Sequence, residues 1–199
     1  MHRHYAHRRY HMKKKTNIGW IVVRVMVVIA LVGIVFSYNG MVDASERVSD
    51  AAANIEAQLQ RRADLIPNLV NTVKGYMEHE TEVINAITES REKLLRAGTL
   101  EEKADANDAL TNALRSFSVI VENYPDLKAN TNFIQLQDEL AGTENRIATA
   151  RRDYNEAVRA YNALIRRIPG NFLAGPFGFT EAGYFESTAG SDTVPVVAF

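Results

Sequence analysis

The sequence predicts an all-α protein: an N-terminal transmembrane helix, then an elongated antiparallel bundle of long helices with an irregular aromatic- and glycine-rich C-terminal tail. Three observations carry this. Residues 18–36 form an apolar run broken by one charge, Arg24. From Val48 to Ile165, apolar residues return at steps of four and three, the beat of a helix with one buried stripe. After Pro169-Gly170 that beat is lost among glycines, prolines and aromatic rings.

The basic segment comes first. Residues 1–17 carry Arg3, Arg8, Arg9, Lys13, Lys14, Lys15 and four His, too polar and self-repelling to fold alone. The apolar run follows, and as a helix it spans about 28 Å, close to the roughly 30 Å hydrocarbon core of a bilayer. Trp20 stands near its start, where an amphipathic ring prefers the headgroup level. Arg24 lies one turn further in, within reach of the same phosphates by snorkelling. A cleaved signal peptide is the rival. The run exceeds the usual apolar region of about 7–15 residues, and Val42-Asp43-Ala44 is a poor cleavage site. An uncleaved anchor over residues 18–37 is therefore expected. The positive-inside rule then makes residues 1–17 a cytoplasmic arm and places the rest outside the inner membrane.

Charge sorts the functional classes. Residues 1–36 hold 7 of the 23 Lys and Arg and no Asp or Glu, so residues 37–199 carry 16 bases against 24 acids, a net of −8. An acidic main domain argues against a nucleic-acid partner. The chain has no Cys, which removes disulfides, thiolate metal sites and cysteine nucleophiles.

In the bundle, residues 38–168, a first helix is expected over residues 48–97. Its seam is Val48, Ala52, Ile55, Leu59, Ile66, Val70, Val73, Met77, Ile84, Ile87 and Leu94, slipping once at Arg62-Ala63. Pro67 removes one ladder bond and predicts a kink near residues 63–66. Arg61 and Asp64, three apart, predict an ion pair supporting that bend, with an anionic-ligand or subunit contact as the sharper role of Arg61 and Arg62. Gly98 predicts a C-cap, and Thr99 with Glu102 a capping box opening a second helix to about Asn123. Tyr124-Pro125-Asp126 predicts a turn. A third helix over residues 130–167 repeats Phe133, Leu136, Leu140, Ile147, Tyr154, Val158, Tyr161 and Ile165 until Pro169-Gly170 stops it. Short connections imply antiparallel neighbours. With a mere kink at Pro67 the tail, residues 169–199, ends far from the membrane; with a full reversal it returns to it. Its rings either pack over one end of the bundle or dock on a partner or bilayer surface.

Chemistry is sparse. Glu78-His79-Glu80-Thr81-Glu82 is the densest polar cluster, but Val83 stands where a zinc-protease helix needs its second His, and Tyr76 where a di-iron bundle needs Glu. A solvated helix face is the expected reading. No phosphate-cradling glycine loop or nucleophile elbow occurs, and Arg151-Arg152 and Arg166-Arg167 are expected on solvated faces. No catalytic, cofactor or metal site is assigned.

QLQRRADLIPNLVNTVKGYMEHE (residues 58–80) closely resembles the signature of the LemA family. Tyr38-Asn39-Gly40-Met41-Val42 is similar to the family's start after its anchor, residues 123–162 to its third helix, and residues 168–179 to its tail. One departure is Asp50-Ala51-Ala52-Ala53-Asn54, where the family usually has an aromatic-containing stretch. The resemblance implies a bacterial membrane-anchored helical bundle and no reaction; some magnetosome-associated relatives are linked to shaping internal membranes. Within the motif, Asp64, Pro67 and Asn68 are expected to fix a bend while Leu65, Ile66, Leu69, Val70 and Val73 supply the buried face.

The expected function is a non-catalytic envelope scaffold. It contacts the lipid bilayer through residues 18–37 and associates with its own copies or another envelope protein, with no cofactor. A ligand-binding sensor or signalling module is the alternative. An envelope hydrolase dependent on His79 is a distant third.

Overall fold

The computed structural model describes residues 18–77 and 79–185, and among these no strand occurs. The basic arm, Glu78 of the polar cluster and the end of the tail lie outside the described residues. The elements are α1 (Ile18–Val73), α2 (Thr81–Arg96), α3 (Leu100–Val121), the short α4 (Pro125–Lys128), α5 (Thr131–Arg166) and the short α6 (Gly170–Leu173).

α1 is one helix of 56 residues, about 84 Å long at 1.5 Å per residue. Its first part, residues 18–36, is apolar and exposed all round, and it is the described segment long and apolar enough to cross a membrane. The same helix continues into the bundle without a linker, so no break in secondary structure marks residues 37 and 38.

Two expectations about the first helix are corrected. The chain reverses at residues 74–80, not near Pro67, so residues 48–97 form the end of α1 and all of α2. Lys74-Gly75-Tyr76 makes the turn, with the N–H groups of Tyr76 and Met77 both donating to the Val73 carbonyl. The seam also does not slip. Ile55, Leu59, Arg62, Ile66, Leu69 and Val73 are buried at steps of 4, 3, 4, 3 and 4, and Arg62 simply occupies a core position.

Pro67 stays inside α1 because its cost is met from another helix. Proline has no N–H to give the carbonyl four residues back, that of Ala63. Arg91 of α2 fills the gap, its Nε donating to the Ala63 oxygen at 2.8 Å.

The remaining connections follow their local chemistry. Thr99 and Glu102 form the expected reciprocal capping box at the start of α3. Gly98 does not take a left-handed conformation; α2 closes on Ala97, whose N–H donates to the Lys93 carbonyl. The expected turn at Tyr124-Pro125-Asp126 is a single helical turn, α4, with Pro125 at its first position, where a missing N–H costs nothing.

The bundle has two unlike halves. Beyond its apolar segment α1 packs against α5, and the α2–α3 hairpin joins α1 from about Ala53 onward, with Glu56 pairing with Lys103. The outer half is thus a four-helix core around Ile55, Leu59, Ile66, Leu110, Phe117 and Phe133. The half nearer the apolar segment is a two-helix pair whose separate core holds Met41, Ala44, Tyr161, Ile165 and Ala174. Because α1 and α3 lead away from the apolar segment and α2 and α5 lead back, the tail returns beside the base of α1.

Candidate functional site

Arg62 is the one fully buried charged side chain among the described residues, 3% exposed. Helical spacing from Leu59 and Ile66 aims it into the bundle. Its Nη1 donates to Asn107 Oδ1 (2.5 Å) and Thr111 Oγ1 (3.0 Å) on α3, and forms an ion pair with Glu144 on α5. The Glu144 oxygen makes that contact outside hydrogen-bond geometry, and Arg62 Nε is buried without a hydrogen-bond partner. Burial lowers the affinity of this guanidinium for its proton; Glu144 opposes the effect and nearby Arg151 adds to it. One side chain therefore joins three helices. A cavity of about 360 Å³ opens beside it, lined by Leu69, Leu114, Phe117 and Leu140 on one hand and by polar Arg115, Ser118 and Gln137 on the other.

A second arginine repeats the theme. Arg151 of α5 pairs with Asp108 of α3 at 3.1 Å and lies 4.7 Å over the ring of Phe185 in the tail. The expected solvated face at Arg151 is thereby corrected. The Arg166 expectation changes less: it stays exposed but makes a two-pronged bridge to Glu181.

The base is completed by the short α6 and the extended segment after it rather than by another long helix. Tyr161 donates its hydroxyl to the Thr180 carbonyl (2.9 Å), and Tyr154 to that of Gly183 (3.0 Å). Asn162 donates to the Ala182 carbonyl and accepts from its N–H, both at 2.9 Å. Asn155 does the same with Phe185, at 3.0 and 2.8 Å. The two side-chain amides imitate a neighbouring strand for an extended segment. A sequence signal for this exists, because the dipeptide Tyr-Asn recurs seven positions on, two turns along one face. Gly170 lets the chain turn into this segment: a Cβ there would sit 2.1 Å from the Leu164 carbonyl oxygen. Gly178, at φ 79°, makes the second turn.

The sequence-predicted residues are only partly brought together. Asp64 accepts from Gln60 Nε2 (2.8 Å) and not from Arg61, so the expected Arg61–Asp64 ion pair does not form. Arg61, Asp64, Pro67 and Asn68 are exposed on α1, whereas Arg62 faces inward. Leu65 and Val70 are half-buried, and Ile66, Leu69 and Val73 are fully buried. Trp20 and Arg24 are both exposed on the apolar segment, just over one turn apart. Of the polar cluster, His79 and Glu80 lie in the α1–α2 turn while Thr81 and Glu82 open α2, and Glu80 accepts from the Tyr124 hydroxyl at 3.0 Å. Among the described residues no three His, Asp or Glu side chains gather as a metal ion would require.

Comparison with known proteins fits this architecture. Residues 51–199 match the model of the LemA family. The chain is 31% identical to magnetosome protein MamQ 2 of Paramagnetospirillum magneticum, over 89% of this chain and 75% of that one. It is 26% identical to MamQ of Magnetospirillum gryphiswaldense, over 80% of this chain and 68% of the relative. It is 27% identical to protein LemA of Metamycoplasma hominis, over 75% and 69%. This chain, helical over most of its described residues and with a candidate N-terminal membrane helix, belongs to the LemA family.

Proposed function

We propose that the protein is a non-catalytic scaffold of the bacterial envelope, anchored in the inner membrane by residues 18–37. Trp20 and Arg24 set the depth of the anchor, the basic arm lies in the cytoplasm, and the acidic bundle stands outside. The bundle associates with further copies or with another envelope protein. Likeness to proteins named for the magnetosome supports a membrane-organising role.

The observation that carries this reading is the continuity of α1. A linker would let the bundle tumble, whereas a helix running unbroken from residue 18 to residue 73 fixes its orientation to the membrane. Fixed orientation is what lateral assembly requires. Crosslinking in native membranes, followed by size analysis in mild detergent, tests it. Adducts between copies, or with one reproducible envelope neighbour, are expected; a strictly monomeric species without any neighbour overturns the proposal.

The cavity beside Arg62 favours one second reading, a sensor that takes an amphipathic ligand between α1, α3 and α5, its apolar part against Leu114 and Phe117. Ligand-dependent thermal shifts that a bulky substitution at Leu114 abolishes would support it.

A further inference from the structure

We infer that residues 168–180 form a second contact with the bilayer, seating Ile168, Phe172 and Phe177 among the lipid headgroups beside the anchor. The inference rests on the membrane-anchored reading of α1 and adds a partner for a surface which that reading leaves uncovered.

Four observations converge on this loop. First, it holds no charged residue, although the domain around it carries a net charge of −8. An interfacial segment facing anionic phosphates is best without carboxylates; Arg167 lies immediately before it, and the Glu181 carboxylate just beyond it is neutralised by Arg166.

Second, the loop is apolar and uncovered. Ile168 is 78% exposed, Phe172 69% and Phe177 52%. Outside the apolar segment of α1, the only other large apolar described residue more than half exposed is Val119 on α3. Patches of this kind mark interaction surfaces.

Third, the loop is level with the end of the apolar segment. The Phe177 and Phe179 rings lie edge-to-face with Tyr38, at 5.1 and 5.7 Å between centroids. Tyr38 follows Phe36 by about 3 Å of helix rise. Aromatic rings at that depth occupy the membrane–water interface, where such side chains are enriched.

Fourth, the loop is held there at both ends. α5 enters it, and on leaving it the chain is gripped by Tyr161 and Asn162 through Thr180 and Ala182. Ala174 and Phe179 pack inward on the basal core, which leaves Phe172 and Phe177 facing out. Contact with a second copy would also cover these rings. A bilayer is favoured because the apolar segment running alongside already requires one at this height.

Fluorescence depth quenching on the full chain in phosphatidylcholine vesicles tests the inference. In a Trp20→Phe background, single tryptophans are placed as Phe172→Trp, Phe177→Trp, Val119→Trp and Val27→Trp, and lipids carry a nitroxide at the headgroup level or mid-chain. Phe172→Trp and Phe177→Trp are expected to be quenched by the shallow label about threefold more than Val119→Trp, as for an interfacial segment. Val27→Trp responds to the mid-chain label. If the loop tryptophans match Val119→Trp while Val27→Trp is quenched, the loop contact is wrong and the anchor stands. Blue-shifted but unquenched loop emission means that protein covers the rings, which also overturns it. An unquenched Val27→Trp overturns anchor and loop together. Hydrogen exchange of the unsubstituted chain is an independent check: amides of residues 168–180 should exchange more slowly in vesicles than in detergent, and equal rates count against the contact.

Discussion

The two halves of the bundle solve one problem differently. α1 and α5 run through both, and two helices cannot bury both their apolar stripes. In the outer half the α2–α3 hairpin covers them, and the core fills with Ile55, Leu59, Leu110, Phe117 and Phe133. In the basal half the only further helix among the described residues is the single turn α6, which packs on α1 and α5. There an extended strip, residues 180–185, lies along α5 and is held by hydrogen bonds from Tyr154, Asn155, Tyr161 and Asn162. The outer half is therefore held by burial around one internal charge, and the basal half by polar gripping of a backbone. Phe185 joins the two, packing with Tyr154 and under Arg151, which pairs with Asp108 of α3.

The largest expected effect lies in the outer half. Arg62→Ala leaves Glu144 and Asn107 without their partner and should cost about 3 kcal/mol, the lower end for a broken buried pair because Glu144 is partly exposed. Arg62→Met combined with Glu144→Leu should recover the ion-pair share of that loss, since apolar replacements of a buried pair are often neutral, while buried Asn107 still lacks its donor. Denaturant unfolding of the detergent-solubilised chain reads both, and an unchanged midpoint for Arg62→Ala would refute the internal-charge description.

In the basal half, Asn162→Ala removes both bonds to Ala182 at about 1–2 kcal/mol. The loss should be local. Amides of residues 180–185 should exchange faster while those of α3 keep their protection, and equal acceleration in α3 would mean that the halves are not separable.

Thr99→Ala deletes the capping box where the hairpin begins and should cost about 1 kcal/mol. Glu102 shares this cap; the N–H of Gly98, then that of Thr99, holds its carboxyl below the usual range. A lowered carboxyl stabilises the fold above its ordinary titration range, and the contribution fades as pH falls through the lowered value. Glu102→Gln should flatten that part of the acid limb of a stability–pH profile.

The smallest effect is at Pro67. Pro67→Ala restores an N–H for the Ala63 carbonyl, so stability should change by less than about 1 kcal/mol. The informative quantity is coupling. Arg91→Ala should cost more in the native chain than in Pro67→Ala, by about 0.5–1.5 kcal/mol in a double-mutant cycle. Additivity would mean that Arg91 does not compensate for the proline.

What the sequence makes legible is what neighbours in sequence decide. The bounds of α3 and α5 and the Thr99–Glu102 box follow from local periodicity and capping chemistry. Local rules place a bend at Pro67, yet the chain turns at residues 74–80, because the proline's missing bond is supplied by Arg91 from a different helix. Gly75, a weak helix former, marks the turn more quietly. Arg62 reads as a slip in an apolar seam, since its burial depends on Asn107, Thr111 and Glu144, all remote in sequence. The Tyr-Asn repeat is visible in the sequence, but without the tail beside it nothing says what it grips.

Only α1 belongs to the membrane segment and to both halves of the bundle, and its continuity decides whether the bundle has a fixed stance. The chain has no Cys, so Val28→Cys and Ala57→Cys, both at exposed positions, give a clean pair of nitroxide labels in lipid nanodiscs. The expected electron–electron distance distribution is narrow and centred at about 44 Å, the rise of one straight α-helix between those two positions. A broad distribution, or one centred well below that length, would show a joint between membrane and bundle and contradict the rigid coupling.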